Sequence, residues 1–195
     1  MLSWTTTGPL ERVWSLYPGL TSLDITAGNV SLVDFHLPAL ERLRIETCYL
    51  TLDNIAALAN AELPALRSLE LWYGEVSALG PTLALVDSLA HVTELGIVNT
   101  TFTDELAEAL SRSPVLARIE VLDLSRGTLT DAGALAIANA HAEGRAPKLR
   151  AVDIRECYLT ETGVAALEAC KLAVRSNEQR QVEEGTTERY CAVWE

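Results

Sequence analysis

The sequence predicts an α/β fold in which short parallel strands alternate with helices in one repeating coil. A motif with apolar residues at its first, fourth and sixth positions recurs six times, starting at residues 20, 40, 66, 92, 119 and 149. Side chains alternate faces along a strand, so the fourth and sixth positions of each motif point into the same core. Most of the motifs are followed by apolar residues at helical spacing. Units that each combine a strand with a helix are predicted to stack as a solenoid.

Residues 119–131 (IEVLDLSRGTLTD) show the repeat in full. Their apolar spacing is that of the leucine-rich repeat, with Gly127 at the position where this repeat usually has Asn or Cys. Thr130 is predicted to cap a helix that begins at Asp131, whose carboxylate suits the positive end of the helix dipole. Four of the periods are 26–30 residues long and leave room for a full helix. We therefore expect a ribonuclease-inhibitor-like horseshoe, with strands on the concave face and helices on the convex face.

Three segments are expected along the chain. Residues 1–19 form a helical lead-in with Pro9 in its first turn, and residues 20–175 hold the six repeats. Residues 176–195 hold a polar linker and then an apolar stretch at 190–194, which is predicted to be a strand that caps the solenoid. The connecting helices are predicted at residues 53–61, 81–90, 104–112, 131–143 and 161 to about 175.

The charge balance of the chain limits the classes of partner that it can bind. There are 27 acidic and only 15 basic residues, a formal charge of −12 at pH 7. Nucleic acid is not expected as a partner, because phosphate binding requires clustered Lys and Arg. The first residues lack the basic start and apolar stretch of a secretion signal, and no run of about 18 apolar residues suits a membrane span. The sequence therefore predicts a cytoplasmic protein that does not bind membranes.

The four cysteines are predicted to be reduced. Cys48 and Cys157 occupy equivalent positions four repeats apart, about 19 Å at the usual strand spacing. A disulfide requires Cα atoms within about 7 Å, so these two residues cannot pair. Cys191 lies near the chain end, and we expect the capping strand to bury it.

Several stretches resemble a known family. The chain looks like the uncharacterised bacterial cytoplasmic leucine-rich-repeat proteins typified by a Salmonella gene-cluster member. The similar stretches are LSW at 2–4, LELWYG at 69–74, SPVLARIEVLDLSRGTLTDAG at 113–133 and RYCAVWE at 189–195. The resemblance implies the repeat fold but no catalytic residues, because that family has none assigned. Its members often have further residues before the LSW segment. We therefore expect the first strand to present an open edge, which a second copy or another protein would cover.

Trp72 is the most conspicuous candidate contact on the predicted concave sheet. It is a large aromatic at an outward strand position, next to Tyr73 and one repeat from Val98. Such a residue is typical of an interface anchor. The alternative is that Trp72 packs along neighbouring Arg side chains or under a terminal segment.

Carboxylates recur at one outward position in four of the six strands: Asp24, Glu70, Asp123 and Asp153. Such a row would suit a basic partner, but solvated surface charge is the favoured explanation. Arg44 and Arg155 lie on the same face and are predicted to add complementarity to a partner.

We therefore expect a non-catalytic module that binds a protein or peptide on its concave sheet. The predicted contacts are Arg44, Glu70, Trp72, Tyr73, Val98, Asp123, Asp153 and Arg155. No nucleotide-binding, metal-binding or nucleophile motif occurs, so neither a cofactor nor a metal is expected. The alternative is a small-molecule-binding or enzymatic accessory protein of a biosynthetic cluster. It requires residues 1–19 or 176–195 to fold over the sheet and close a pocket.

Overall fold

One all-parallel sheet forms the frame of the protein. The computed structural model describes residues 5–8, 10–76 and 78–192. Its strands pair in chain order, each with the next, from the first to the seventh. They are β1 (Ser22–Thr26), β2 (Arg42–Glu46), β3 (Ser68–Gly74), β4 (Glu94–Thr100), β5 (Val121–Asp123), β6 (Ala151–Asp153) and β7 (Ala173–Arg175). The predicted α/β class with parallel strands is confirmed.

Helices pack on one side of the sheet. They are α1 (Glu11–Leu16), α2 (Leu52–Ala59), α3 (Leu79–Ser88), α4 (Thr103–Arg112), α5 (Asp131–Ala142) and α6 (Glu161–Ala169). From α2 onward, each helix contacts the next one along the chain. The predicted cap of α5 is present, because the Thr130 hydroxyl accepts a hydrogen bond from the backbone N–H of Ala132. A layer of helices therefore covers one face of the sheet and leaves the other face uncovered by helices.

The core lies between the two layers and is built from in-register rows of apolar side chains. One such row consists of Leu43, Leu69, Leu95, Leu122 and Val152, each the register partner of the next. All five are at most 1% exposed. Burying a side chain of this size contributes about 1.5–3 kcal/mol, so these rows are the main source of stability.

Aspartates join successive helices. Asp104, in the first turn of α4, accepts hydrogen bonds from the backbone N–H (2.8 Å) and the hydroxyl (2.7 Å) of Thr130 and from the N–H of Gly133 (3.2 Å). Asp131 accepts the same pair from Thr160, at 2.9 and 2.6 Å. A Cβ on Gly133 would lie 2.6 Å from an Asp104 carboxylate oxygen. These two Thr-Asp pairs therefore hold the start of α5 to that of α4 and the start of α6 to that of α5.

The predicted end of the last helix is wrong. The last helix was expected to reach about residue 175, but α6 ends at Ala169 and β7 follows. Lys171 reverses the chain with φ +61°, after which the half-buried Val174 pairs with Val152 of β6. Residues 176–180, expected to be linker, remain bonded to the turn after β6, because the N–H of Arg180 donates to the Cys157 carbonyl at 2.6 Å. A short apolar run permits either helix or strand, and pairing with β6 decides for strand.

The two chain ends differ from the prediction in detail. Thr6 forms a parallel bridge with Asn29, so residues before α1 lie along the turn that follows β1. Pro9 and the LSW segment at 2–4 lie outside the described residues. Residues 190–192 form no strand, and the rest of the predicted capping strand, 193–194, is also outside the described part. Within the described ranges, no helix combines the length and apolar character needed to cross a bilayer.

Candidate functional site: the open sheet face

The face of the sheet that points away from the helices carries the candidate site, and we call it the open sheet face. A single register row crosses it from β1 to β7. In order, this row consists of Asp24, Arg44, Glu70, Gly96, Asp123, Asp153 and Arg175. The backbones of neighbouring members lie about 4.8 Å apart, which is the usual spacing of adjacent strands. The predicted acidic positions therefore do share one row, with Arg44 and Arg175 among them.

Arg44 is surrounded by carboxylates at the β1–β3 end of the row. Its guanidinium lies 3.1 Å from Asp24, 2.6 Å from Glu46 and 2.9 Å from Glu70. Burial of the guanidinium opposes its charge, but hydrogen bonds from Glu46, Asp24 and Glu70, together with the charge of Glu70, outweigh this and raise the pKa of Arg44. Its donors are used within the sheet, so Arg44 organises this part of the face instead of offering a free cation.

Trp72 is not the accessible anchor that the sequence predicted. Its ring lies between two guanidinium groups, 5.4 Å from that of Arg44 and 5.0 Å from that of Arg126. The indole N–H donates to Glu70 at 2.7 Å, and only 7% of the residue is exposed. Its register partner Val98 is also buried. The alternative of packing along Arg side chains is the arrangement found, stabilised by cation–π attraction.

Tyr73 lies on the opposite side of the sheet from Trp72. Adjacent strand residues point to opposite faces, and Tyr73 is fully buried in the main core. Its hydroxyl accepts a hydrogen bond from Thr82 at 2.9 Å, and its ring meets Phe102 edge to face. Burial raises the pKa of this hydroxyl. The prediction of Tyr73 as a partner contact is therefore wrong, and its role is to hold α3 against β3.

A notch interrupts the row at Gly96. Because glycine has no side chain, a cavity of about 130 Å³ opens between the carboxylates of Glu70 and Asp123. Glu94 and Arg42 also line it, and their side chains are 3.9 Å apart and well exposed. A Cβ at Gly96 would lie 3.0 Å from Cγ of Glu70. The notch is thus narrow, open and surrounded by three carboxylates.

Asp123 is the half-buried carboxylate at the floor of this notch. Burial raises its pKa, hydrogen bonds from Ser125 oppose the rise, and the charges of Asp153 and Glu70 add to it. The backbone N–H of Ser125 donates to Asp123 at 2.9 Å. Because its pKa in the folded chain exceeds the ordinary value of 3.8, ionised Asp123 costs stability at neutral pH. That cost disappears as the pH falls through the raised pKa, because Asp123 is then protonated. A cation placed in the notch would offset the same cost at neutral pH and would therefore stabilise the folded protein.

Arg155 pairs with Asp153 and not with Asp123. The Arg155 Nε–H donates to both oxygens of Asp153, at 2.9 and 3.0 Å, and Nη2 donates at 2.8 Å. Arg175 approaches the same carboxylate at 3.7 Å. Hydrogen bonding to Asp153 raises the pKa of Arg155, burial lowers it, and the charges of Asp153, Asp123 and Glu156 also raise it. The cations near β6 are therefore bonded to Asp153, which leaves the Asp123 charge only partly balanced.

A groove of about 370 Å³ continues the open sheet face toward β7. The small apolar side chains of Val121, Ala151 and Ala173 are register partners and form its floor. Arg150 and Arg175 stand at its sides with exposed side chains. Together, the notch and the groove offer a partner carboxylates, an apolar strip and two arginines.

Sequence reasoning missed Arg126 and the notch. Arg126 lies in the turn after β5 with φ +64°, and only this left-handed turn brings its guanidinium back over Trp72. Alternation along β4 places Gly96 on the outward face, but a residue without a side chain does not indicate a cavity until its neighbours are placed. Cys191 is fully buried, as predicted, although residues 190–192 form no strand.

The four cysteines are thiols in the structure. All four are free of disulfides, and burial raises the pKa of Cys157 to about 12. The described residues contain no group of three or more His, Cys, Asp or Glu side chains arranged to hold a metal ion.

Comparison with known proteins supports the fold alone. A crystal structure of a protein from Bacteroides fragilis matches with a TM-score of 0.78 and 24% sequence identity. The match covers 89% of this chain and 51% of that chain, so the chain spans about half the length of the solved protein. No family model and no curated protein match the sequence. The chain thus shares its α/β architecture, with an open parallel sheet, with a longer bacterial protein.

Proposed function

We propose that the chain is a leucine-rich-repeat solenoid, related to the bacterial repeat proteins that its sequence resembles, and that it acts as a non-catalytic protein-interaction module. Register partners in successive strands are separated by 20 to 30 residues, the spacing of such repeats. Each strand pairs only with its neighbours in the chain, as in stacked coils. In solenoids of this kind, the strand face is the usual recognition surface.

The notch at Gly96 is the observation that carries the proposal. It presents Glu70, Glu94 and Asp123 around a space of about 130 Å³, next to the apolar floor of the groove. A basic side chain of a partner would balance Asp123, and apolar side chains beside it would cover Val121 and Ala151. We therefore propose a partner segment that combines one Lys or Arg with small apolar residues. The formal charge of −12 would attract such a segment over a distance.

Charge variants with a matched control test this proposal. Glu94→Arg places a cation at the rim of the notch, where the Glu94 side chain is 40% exposed. Glu168→Arg makes the same charge change on the exposed surface of α6. We expect Glu94→Arg to reduce partner capture from the native host by about tenfold or more, since like charges at an interface cost several kcal/mol. Glu168→Arg should capture as much as the wild type.

Quantitative mass spectrometry of the three captures gives the measurement, and thermal unfolding confirms that each variant is folded. If folded Glu94→Arg recovers the same proteins in the same amounts as the wild type, the notch is not the binding site.

A further inference from the structure

The end of the described chain, residues 188–192, is bound to the body of the protein, and we call it the terminal segment. Main-chain atoms of Tyr190 make most of its contacts. Its N–H donates to the Tyr158 hydroxyl at 3.1 Å, and its carbonyl accepts from that hydroxyl at 3.1 Å and from Arg180 at 2.5 Å. The Arg180 guanidinium also lies 4.9 Å from the Tyr158 ring. Tyr158 and Arg180 thus form a small platform for a peptide backbone.

One further hydrogen bond and one buried side chain fix the terminal segment beyond Tyr190. The N–H of Ala192 donates to the Arg126 carbonyl at 2.8 Å, as a partner strand would. Between these two anchors, Cys191 is fully buried, yet it lies outside the main core of the protein. The site therefore binds the backbone of a peptide and encloses one small side chain.

Residues 188–190 of the terminal segment are exposed, and the segment is reached through an exposed stretch. Residues 183–190 are exposed throughout and form no helix or strand. Segments with few buried contacts open at low free-energy cost, well before the whole protein unfolds. The site can therefore lose its own segment without loss of the fold.

We propose that Tyr158, Arg180 and the Arg126 carbonyl form a second peptide-binding site, occupied by the chain's own residues 190–192 and available to an extended segment of a partner protein. That partner segment would carry a small side chain where Cys191 now lies. The site is separate from the notch at Gly96, so either proposal can fail without the other. Because a tethered segment has an effective concentration of about a millimolar, the attached segment would exclude weak competitors and set a threshold for partner binding.

Residue-resolved alkylation of the full chain measures occupancy of the site. Cys191 should react with N-ethylmaleimide more slowly than the half-buried Cys48 and Cys170, but faster than Cys157 of the main core, because the segment opens without unfolding of the protein. Ala192→Pro removes the N–H that bonds Arg126, and it should speed Cys191 alkylation by about tenfold or more while Cys157 stays protected. Thr187→Pro, the same change in the exposed stretch, should leave Cys191 protected.

A labelled synthetic peptide tests binding in trans. The probe is residues 186–192 with Cys191→Ser, followed by fluorescence anisotropy. We expect it to bind full-length Ala192→Pro, and to bind the wild type and Thr187→Pro at least about tenfold more weakly, because their own segments compete. Alkylation of wild-type Cys191 as fast as that of Cys48 and Cys170, or as slow as that of Cys157, would overturn the proposal. So would a probe that binds all three proteins equally, or one that does not bind Ala192→Pro.

Discussion

Gly74→Ala is expected to destabilise the protein by about 3–5 kcal/mol, among the largest effects that a single methyl group can have. Gly74 ends β3 with φ +69°, a left-handed conformation that costs any other residue free energy. A Cβ there would overlap the backbone carbonyl of Cys48 in the preceding repeat. Backbone atoms cannot rotate away as a side chain can, so the turns after β2 and β3 would have to separate locally.

Urea unfolding followed by circular dichroism measures this loss. Gly80→Ala is the matched control, because Gly80 lies in the first turn of α3 and its added Cβ would meet open space. Alanine has a higher helix propensity than glycine, so the free energy of unfolding of the control should rise by about 0.5–1 kcal/mol. Equal unfolding midpoints for the two variants would show that the turn after β3 does not hold successive coils at this distance.

Asp104→Ala should cost about 2–4 kcal/mol, because three hydrogen bonds to a charged acceptor are lost at once. Two of them satisfy Thr130 at the start of α5, and the third satisfies the N–H of Gly133. Those donors lie at a helix start, where no intrahelical acceptor can replace Asp104. Hydrogen exchange of the first turn of α5 should therefore accelerate along with the loss of global stability.

Glu105→Ala separates this effect from the helix dipole. Glu105 lies next to Asp104 in the same first turn of α4 and is exposed. Its removal should cost no more than about 0.5 kcal/mol, since alanine offsets much of the lost dipole interaction. If Asp104→Ala proves as mild as Glu105→Ala, the aspartates do not join the coils.

Much of the fold could be predicted from apolar spacing. Rows such as Leu43, Leu69 and Leu95 follow from alternation along each strand and from similar repeat lengths, and the structure places them in register. The same reasoning failed at β7, because Leu172 and Val174 fit a helix or a strand equally well. There the decision depends on the open edge of β6, which lies outside any local window of sequence.

Less of the candidate site was predictable. The row of Asp24, Arg44, Glu70 and Asp123 needed only strand alternation, and the structure contains it, while its part in binding stays a prediction. The prediction of Tyr73 as a partner contact was wrong because Tyr73 is one residue along the strand from Trp72, and a step of one residue places a side chain on the other face of the sheet. The prediction of Trp72 as an exposed anchor was wrong for a different reason. Arg126 covers its ring, and Arg126 lies in the turn after β5, whose conformation cannot be predicted from apolar spacing.

The central claim is that a partner protein lies on the open sheet face, and site-specific photo-crosslinking in the native host tests it most directly. A photoreactive phenylalanine analogue would replace Ala173, which is exposed on the open sheet face, or Ala165, which is exposed on α6. We predict a covalent adduct to one defined protein from position 173, and its loss when Glu94→Arg is added. Adducts that form equally from both positions, or only from position 165, would contradict the claim.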